Sequence, residues 1–149
     1  MKNFEFLIIG SNGLLGSNIV KILNKKKISF LTVARKDSNF NINLKNFKKI
    51  NKFFLKNKFK IVINCAAIID INYCEKNYKI ISIINSELVK FLAQMSKKFD
   101  FKFVQISTDQ VYRGKNGLLN SEKSETFAIN KYAKFKILAE KYLKKLKKF

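Results

Sequence analysis

A chain of 149 residues suits a single domain, residues 1–149, large enough to bury a real core. Its 47% hydrophobic content is ordinary for a soluble globule, and no apolar run reaches the length needed to span a bilayer. The net charge of +21 raises nucleic acid as a partner, but Arg35 and Arg113 are the only arginines, and base readout and bidentate phosphate clamps favour arginine over lysine.

The lysines come with abundant Asn, Ile and Phe and with no proline, which points to A/T-rich codon usage rather than to selection for a basic surface. No nucleic-acid partner is therefore expected, only a mild attraction to anionic ligands. Two cysteines and no histidine supply neither a disulfide framework nor a metal-ligand set, and Cys65 reads as a small buried apolar residue. The N-terminal apolar stretch is short and interrupted by Glu5, unlike a signal peptide, so the cytoplasm is the expected compartment.

Phe6, Leu7, Ile8 and Ile9 form an apolar run that ends in Gly10, Gly13 and Gly16, and helical spacing begins at once. A buried strand, a glycine turn and a helix whose N-terminus faces a phosphate would read this way. The G-x-x-G-x-x-G spacing also serves an ordinary strand-to-helix turn, so the rest of the chain must decide. Leu15, Ile19, Ile22 and Leu23 fall on one predicted helix face, closed by Lys25, Lys26 and Lys27. Residues 28–34 then read as a second strand, completing a β-α-β unit. The residue at its tip selects the cofactor, since an acidic side chain suits the ribose of NAD and a basic one the 2′-phosphate of NADP. Arg35 stands there, which favours NADP(H) and leaves NAD(H) open; a solvated loop arginine is the alternative.

Residues 40–42 suggest a short third strand, and Leu44, Phe47, Ile50 and Phe54 a helical stripe. Residues 60–64 make a strand that runs into Cys65-Ala66-Ala67, where small residues let backbone pass close to a ligand or simply pack tightly. Ile80, Ile84, Leu88, Phe91 and Met95 mark a long core helix, and residues 101–107 a fifth strand. Residues 113–128, with Gly114 and Gly117, form the one loop-like stretch. The last helix, residues 132–146, points Phe135, Leu138, Tyr142 and Leu146 inward and ends in Lys144, Lys145, Lys147 and Lys148. Alternating strands and helices predict an α/β fold, a Rossmann-type doubly wound parallel sheet in the order 3-2-1-4-5. Ligands would then sit at the carboxyl ends of its strands.

At that edge lie Ser107-Thr108-Asp109, then Tyr132 and Lys136 four apart on one helical face. A phenol with a pKa of about 10 is a poor acid-base group at neutral pH, and a nearby ammonium brings it closer by stabilising the phenolate. A hydroxyl of Ser107 or Thr108 could hold a substrate carbonyl. Y-x-x-x-K is common by chance in a lysine-rich chain; its position after a hydroxyl-bearing strand end gives it weight.

The combination of GSNGLLG, NCAA, ISTDQVY and YAKFK resembles the extended short-chain dehydrogenase/reductases, and among them the sugar-nucleotide reductases that act in dTDP-rhamnose and polysaccharide biosynthesis. The resemblance implies that Gly10, Gly13, Leu14, Leu15 and Gly16 cradle the cofactor pyrophosphate, with backbone N–H groups offered by Gly13, Leu14 and Leu15. Asn41, Ile42, Ala66 and Ala67 would line the cofactor, and Asn85 and Glu140 match family positions. Thr108 would polarise the sugar C4 carbonyl with Asp109 beside the substrate. Tyr132 would donate the proton, and Lys136 would bind the nicotinamide ribose. The chain departs from the family in having Asn41 and Asn43 where acidic residues are usual, Ala133 after the tyrosine, and no proline before the N-x-Y motif.

Family members run to roughly twice this length, so the expectation is a Rossmann domain truncated after the helix carrying Tyr132 and Lys136, without the substrate-binding part. The expected function is NADPH-dependent reduction of a 4-keto nucleotide sugar. A second chain, or self-association at the exposed edge of the fifth strand, would complete it. The alternatives are a non-catalytic nucleotide-binding module and an NAD-dependent epimerase or dehydratase fragment.

Overall fold

A computed structural model describes residues 2–114 and 119–145. Gly117, Leu146, Lys147 and Lys148, given roles above, lie outside the described residues. The strands are β1 (Lys2–Ile9), β2 (Phe30–Ala34), β3 (Phe40–Asn41), β4 (Asn57–Asn64) and β5 (Lys102–Gln105). The helices are α1 (Leu14–Lys25), α2 (Phe47–Lys56), α3 (Ile71–Lys76), α4 (Tyr78–Ser82), α5 (Leu88–Phe99) and α6 (Lys131–Lys145). All strand pairs are parallel, in the order β3-β2-β1-β4-β5 that the alternation predicts. Among the described residues no helix is long and apolar enough to cross a membrane.

β1 is the middle strand: Leu7 pairs with Leu31 on one side and Val62 on the other, and Ile9 with Val33 and Asn64. Helices cover both faces of such a sheet, so its centre is a continuous apolar run rather than an alternating one. An aromatic stack extends this core, with Phe54 packed on Phe59, Phe99 and Phe101 at ring-centroid separations of 5.9, 5.8 and 5.2 Å.

β2 begins at Phe30 rather than residue 28, β3 ends at Asn41 rather than residue 42, and β5 covers Lys102–Gln105 rather than 101–107; two further departures have identifiable reasons. β4 begins at Asn57 rather than residue 60, because α2 passes into it without a loop. The Asn57 side chain donates to the Phe53 carbonyl at 2.9 Å, satisfying a helix end that would otherwise need a turn. The long helix expected through residues 80–95 is α4 and α5 joined by a π-helical turn, Ile83–Glu87, which no spacing predicts.

Helix faces are also corrected. Of the residues placed inward by periodicity, Leu23 is buried and Ile19 half-buried, but Leu15 and Ile22 are exposed, and Gly16 is buried instead. Gly16 sets this rotation: a Cβ there would lie 2.3 Å from the Gly10 carbonyl oxygen, so only glycine can occupy the side nearest β1. Adjacent residues are then about 100° away. On α6 the expected inward residues Phe135, Leu138 and Tyr142 are only half-buried. The buried face is Tyr132, Ala133, Lys136, Ile137 and Ala139, fixed by polar contacts described below.

Candidate functional site

The carboxyl ends of β1, β2, β4 and β5 all open on one edge of the sheet, as parallel strands require. Gly10 has φ +79°, and a Cβ on it would stand 2.6 Å from the Ala66 nitrogen. The glycine turn and the Ala66 turn are thus in backbone contact, tied further by the Cys65 N–H donating to the Ile9 carbonyl at 2.8 Å. Gly13 differs: a Cβ there would meet nothing nearer than the Gly10 oxygen at 3.5 Å. Packing within the chain does not demand a glycine at position 13.

The N-terminus of α1 has no side-chain cap, and the first-turn N–H groups of Leu14 and Leu15 have no carbonyl within the helix to bond. The Gly13 N–H is already donated to the Gly10 carbonyl at 3.1 Å, so the expected set of three amides reduces to two. Leu14 itself is 86% exposed. Together these features make an open cradle at the positive end of a helix, with the chemistry that suits a phosphate group.

At the end of β2, Arg35 is exposed and has no hydrogen bond, ion pair or ring contact among the described residues. The neighbouring Lys36 carbonyl accepts from the Asn12 side chain at 2.7 Å, which ties the glycine turn to the loop carrying Arg35. Asn41 serves the backbone here, because its Oδ1 accepts from the Ser38 hydroxyl at 3.0 Å and closes the turn from β2 to β3. Ile42 is buried, and its N–H donates to the Ala34 carbonyl at 2.8 Å.

Past β4 the backbone runs through Ala66 and Ala67, both half-buried, to Ile68. Asn85, carried inward on the π-helical turn and almost wholly buried, grips Ile68 from both sides. Its Oδ1 accepts the Ile68 N–H at 2.9 Å and its Nδ2 donates to the Ile68 carbonyl at 2.8 Å. Cys65 is half-buried rather than buried, and desolvation pushes its thiol pKa up. Cys74 is the fully buried cysteine; burial and then the nearby Asp70 and Glu75 carboxylates raise its pKa.

The end of β5 carries the remaining groups. Thr108 is half-buried, extended, and accepts the Gln110 N–H at 3.3 Å, capping a 3-10 turn over Asp109–Val111. Among the described residues its hydroxyl otherwise makes only a long contact of 3.3 Å to Asp109. Ser107 donates its hydroxyl to Glu140 of α6. Of the two hydroxyls raised by the sequence, Ser107 is therefore engaged and Thr108 is the one available.

Asn130 starts α6 by accepting the Ala133 N–H at 2.7 Å. Lys131 anchors the same end, its N–H donating to Glu75 at 2.7 Å. Tyr132, 7% exposed, packs with Cys74 and Ile81 in a small cluster separate from the main core. Lys136, 4% exposed, donates its ammonium to the Ile106 carbonyl at 2.5 Å. Burial lowers its pKa, opposed by the Glu140 carboxylate. The Lys136 and Ser107 bonds hold the face of α6 that bears Tyr132 and Lys136 against residues 106–108, as the motif positions suggest. Sequence reasoning missed Asn64 and Gln105, whose side chains bond each other at 2.8 Å beneath this edge.

Residues 4–148 match the family described as the RmlD substrate binding domain. The chain is 25% identical over 139 residues to a probable low-salt glycan biosynthesis reductase of Haloferax volcanii, covering 89% of this chain and 46% of that one. A dTDP-4-dehydrorhamnose reductase structure from Clostridium acetobutylicum superimposes with a TM-score of 0.87 at 33% identity, over 95% of this chain and 49% of that one. A Bacillus anthracis dTDP-4-dehydrorhamnose reductase, solved in complex with NADP, gives 0.86 at 27% identity, over 98% and 50%. The chain spans about half the length of the relatives it matches.

Proposed function

The chain belongs to the RmlD substrate binding domain family, and on that premise we propose that it forms the cofactor-binding and proton-donating part of an NADPH-dependent reductase of 4-keto nucleotide sugars. The observation that carries this reading is the bond from Lys136 to the Ile106 carbonyl, which joins the Tyr132-Lys136 face to the strand end that bears Thr108. Sugar-nucleotide reductases among the relatives, one of them an NADP complex, support it.

The residues fit the cofactor. The uncapped end of α1 would hold the pyrophosphate through the Leu14 and Leu15 N–H groups, in the room left by a missing Cβ at Gly13. Arg35 would meet the 2′-phosphate, and Ala66 and Ala67 would lie along the nicotinamide half. When bound, the cofactor supplies hydride. Everything else falls to the chain: Thr108 donates a hydrogen bond to the substrate carbonyl oxygen, and Tyr132 delivers its phenolic proton to that oxygen. Lys136 binds the ribose hydroxyls and stabilises the phenolate that remains. The remaining half of the nucleotide-sugar pocket would come from a counterpart of the second half of the relatives, in the same chain or in another.

NADPH titration followed by cofactor fluorescence on the purified protein tests the cofactor claim. Binding that weakens in Arg35→Ala supports it, and no binding up to millimolar NADPH refutes it. Turnover of a dTDP-4-keto sugar, measured with the counterpart half present, should fall about 10²- to 10⁴-fold in Tyr132→Phe. Undiminished activity would refute the catalytic role.

A further inference from the structure

We infer that Gln105 and Asn64 are positioning residues for Lys136, forming a polar chain that links the cofactor-side turn at Ala66 to the ammonium on α6. Four hydrogen bonds make the chain. The Ala66 N–H donates to Asn64 Oδ1 at 3.2 Å, and Asn64 Nδ2 donates to Gln105 Oε1 at 2.8 Å. Gln105 Nε2 then donates to the Ile106 carbonyl at 2.7 Å, the same oxygen that accepts from Lys136 at 2.5 Å.

The direction of this chain is set by its first member. A backbone N–H can only donate, so Asn64 must present its oxygen to Ala66 and its NH₂ to Gln105. Gln105 must then present its oxygen to Asn64, which leaves its NH₂ for Ile106. Asn64 is fully buried and has no solvent to compensate a wrong orientation. The Ile106 carbonyl thus has one fixed donor before Lys136 arrives, and both donors sit on its one oxygen. What faces Lys136 is a carbonyl held in place from behind, across β4 and β5, by the turn that carries Ala66 and Ala67. A movement of that turn would be passed to the ammonium through rigid, hydrogen-bonded amides.

Charge on this chain should therefore be felt by Lys136. The acidic groups on elements packed around it are Glu140 on α6 itself, Asp109 on the 3-10 turn, Glu87 at the end of the π-helical turn and Glu75 on α3. Glu140 is the one that acts on Lys136, and Glu75 is engaged with Lys131. Gln105 and Ser107, from the β5 side, are neutral.

The test follows the lysine directly, by ¹³C NMR of the full chain labelled at lysine Cε, with Lys136→Arg to assign the resonance. In Gln105→Glu the oxygen facing Asn64 is kept and an anion replaces the donor to Ile106, so the Lys136 titration midpoint should rise by about one pH unit. An unmoved midpoint overturns the inference. Gln105→Met removes both hydrogen bonds at similar volume; it should shift the Lys136 resonance and weaken NADPH binding about three- to tenfold in a chain that remains folded by circular dichroism. A folded Gln105→Met with an unchanged Lys136 resonance equally overturns it, since a role in packing alone would lower stability without touching the ammonium. The inference rests on the proposed function only for its effect on NADPH. If the wild-type chain binds no NADPH that function fails, and the lysine titration still decides between Gln105 and a bystander.

Discussion

Gly13 and Gly16 lie three residues apart in one turn, yet substitution by alanine should fail in opposite ways. At Gly16 the new methyl would sit 2.3 Å from the Gly10 oxygen and 2.9 Å from Ser11 Cα. Both are backbone atoms, so α1 would have to move off β1. Overpacking of this kind costs about 1–3 kcal/mol, and backbone on both sides puts Gly16→Ala at the upper end. For a domain of this size that lowers the thermal midpoint by roughly 6–12 °C. At Gly13 the methyl meets nothing inside 3.5 Å, and φ −73°, ψ 165° is comfortable for alanine. The reduced freedom of the unfolded chain, worth about 0.4–1 kcal/mol, offsets the preference for glycine over alanine at a helix N-cap, which is of similar size. Gly13→Ala should therefore melt within about 2 °C of wild type. Its methyl would occupy the space proposed for the pyrophosphate, and NADPH affinity should drop at least about tenfold, equivalent to about 1.4 kcal/mol. Differential scanning calorimetry and NADPH titration of the two variants read both quantities. A Gly13→Ala protein that binds NADPH like wild type would refute the placement of the pyrophosphate, and a Gly16→Ala protein of unchanged stability would refute the packing argument.

Because burial lowers the Lys136 pKa, the unfolded chain binds its proton more tightly than the folded one, and stability contributed by this group rises with pH through the window between the depressed value and about 10.4. Lys136→Met should accordingly lose this rise, so that its thermal midpoint falls relative to wild type as pH climbs through that window; a constant difference would contradict the burial argument. Asn85→Leu strips two hydrogen bonds from the Ile68 backbone and should cost about 2–4 kcal/mol in chemical denaturation, and Asn85→Asp, which sets a carboxylate oxygen against the Ile68 carbonyl in a buried site, should cost at least as much at pH 7. With the counterpart half present, Thr108→Val should depress reductase turnover more than Ser107→Ala, since the Ser107 hydroxyl already serves Glu140.

Much of this was legible in the sequence because it depends on local order. The strand order follows from alternation, and the glycine turn, Arg35, Ala66 and Thr108 fall near strand ends by counting alone. What was not legible depends on which atoms lie behind a surface. Periodicity gave α1 a stripe through Leu15, Ile19, Ile22 and Leu23, but the close approach of Gly16 to Gly10 rotates Leu15 and Ile22 into solvent and leaves Leu23 buried. The Gly13 N–H looked free until its acceptor, the Gly10 carbonyl, was placed. Asn64 and Gln105 are 41 residues apart and become partners only through the register of β4 with β5, where Asn64 stands opposite Gln105. Amides at two strand ends were the available signal, and without the register they read as ordinary polar terminators.

The π-helical turn has a consequence for how the site can change. Before it, Ile81 belongs to the small cluster under Tyr132; after it, Leu88, Val89 and Leu92 belong to the main core against the sheet. One helix thus supports two independent packing units, with the change of phase between them at Ile83–Glu87. Substitutions at Cys74 or Ile81 should therefore change the setting of the Tyr132 ring while the sheet keeps its architecture.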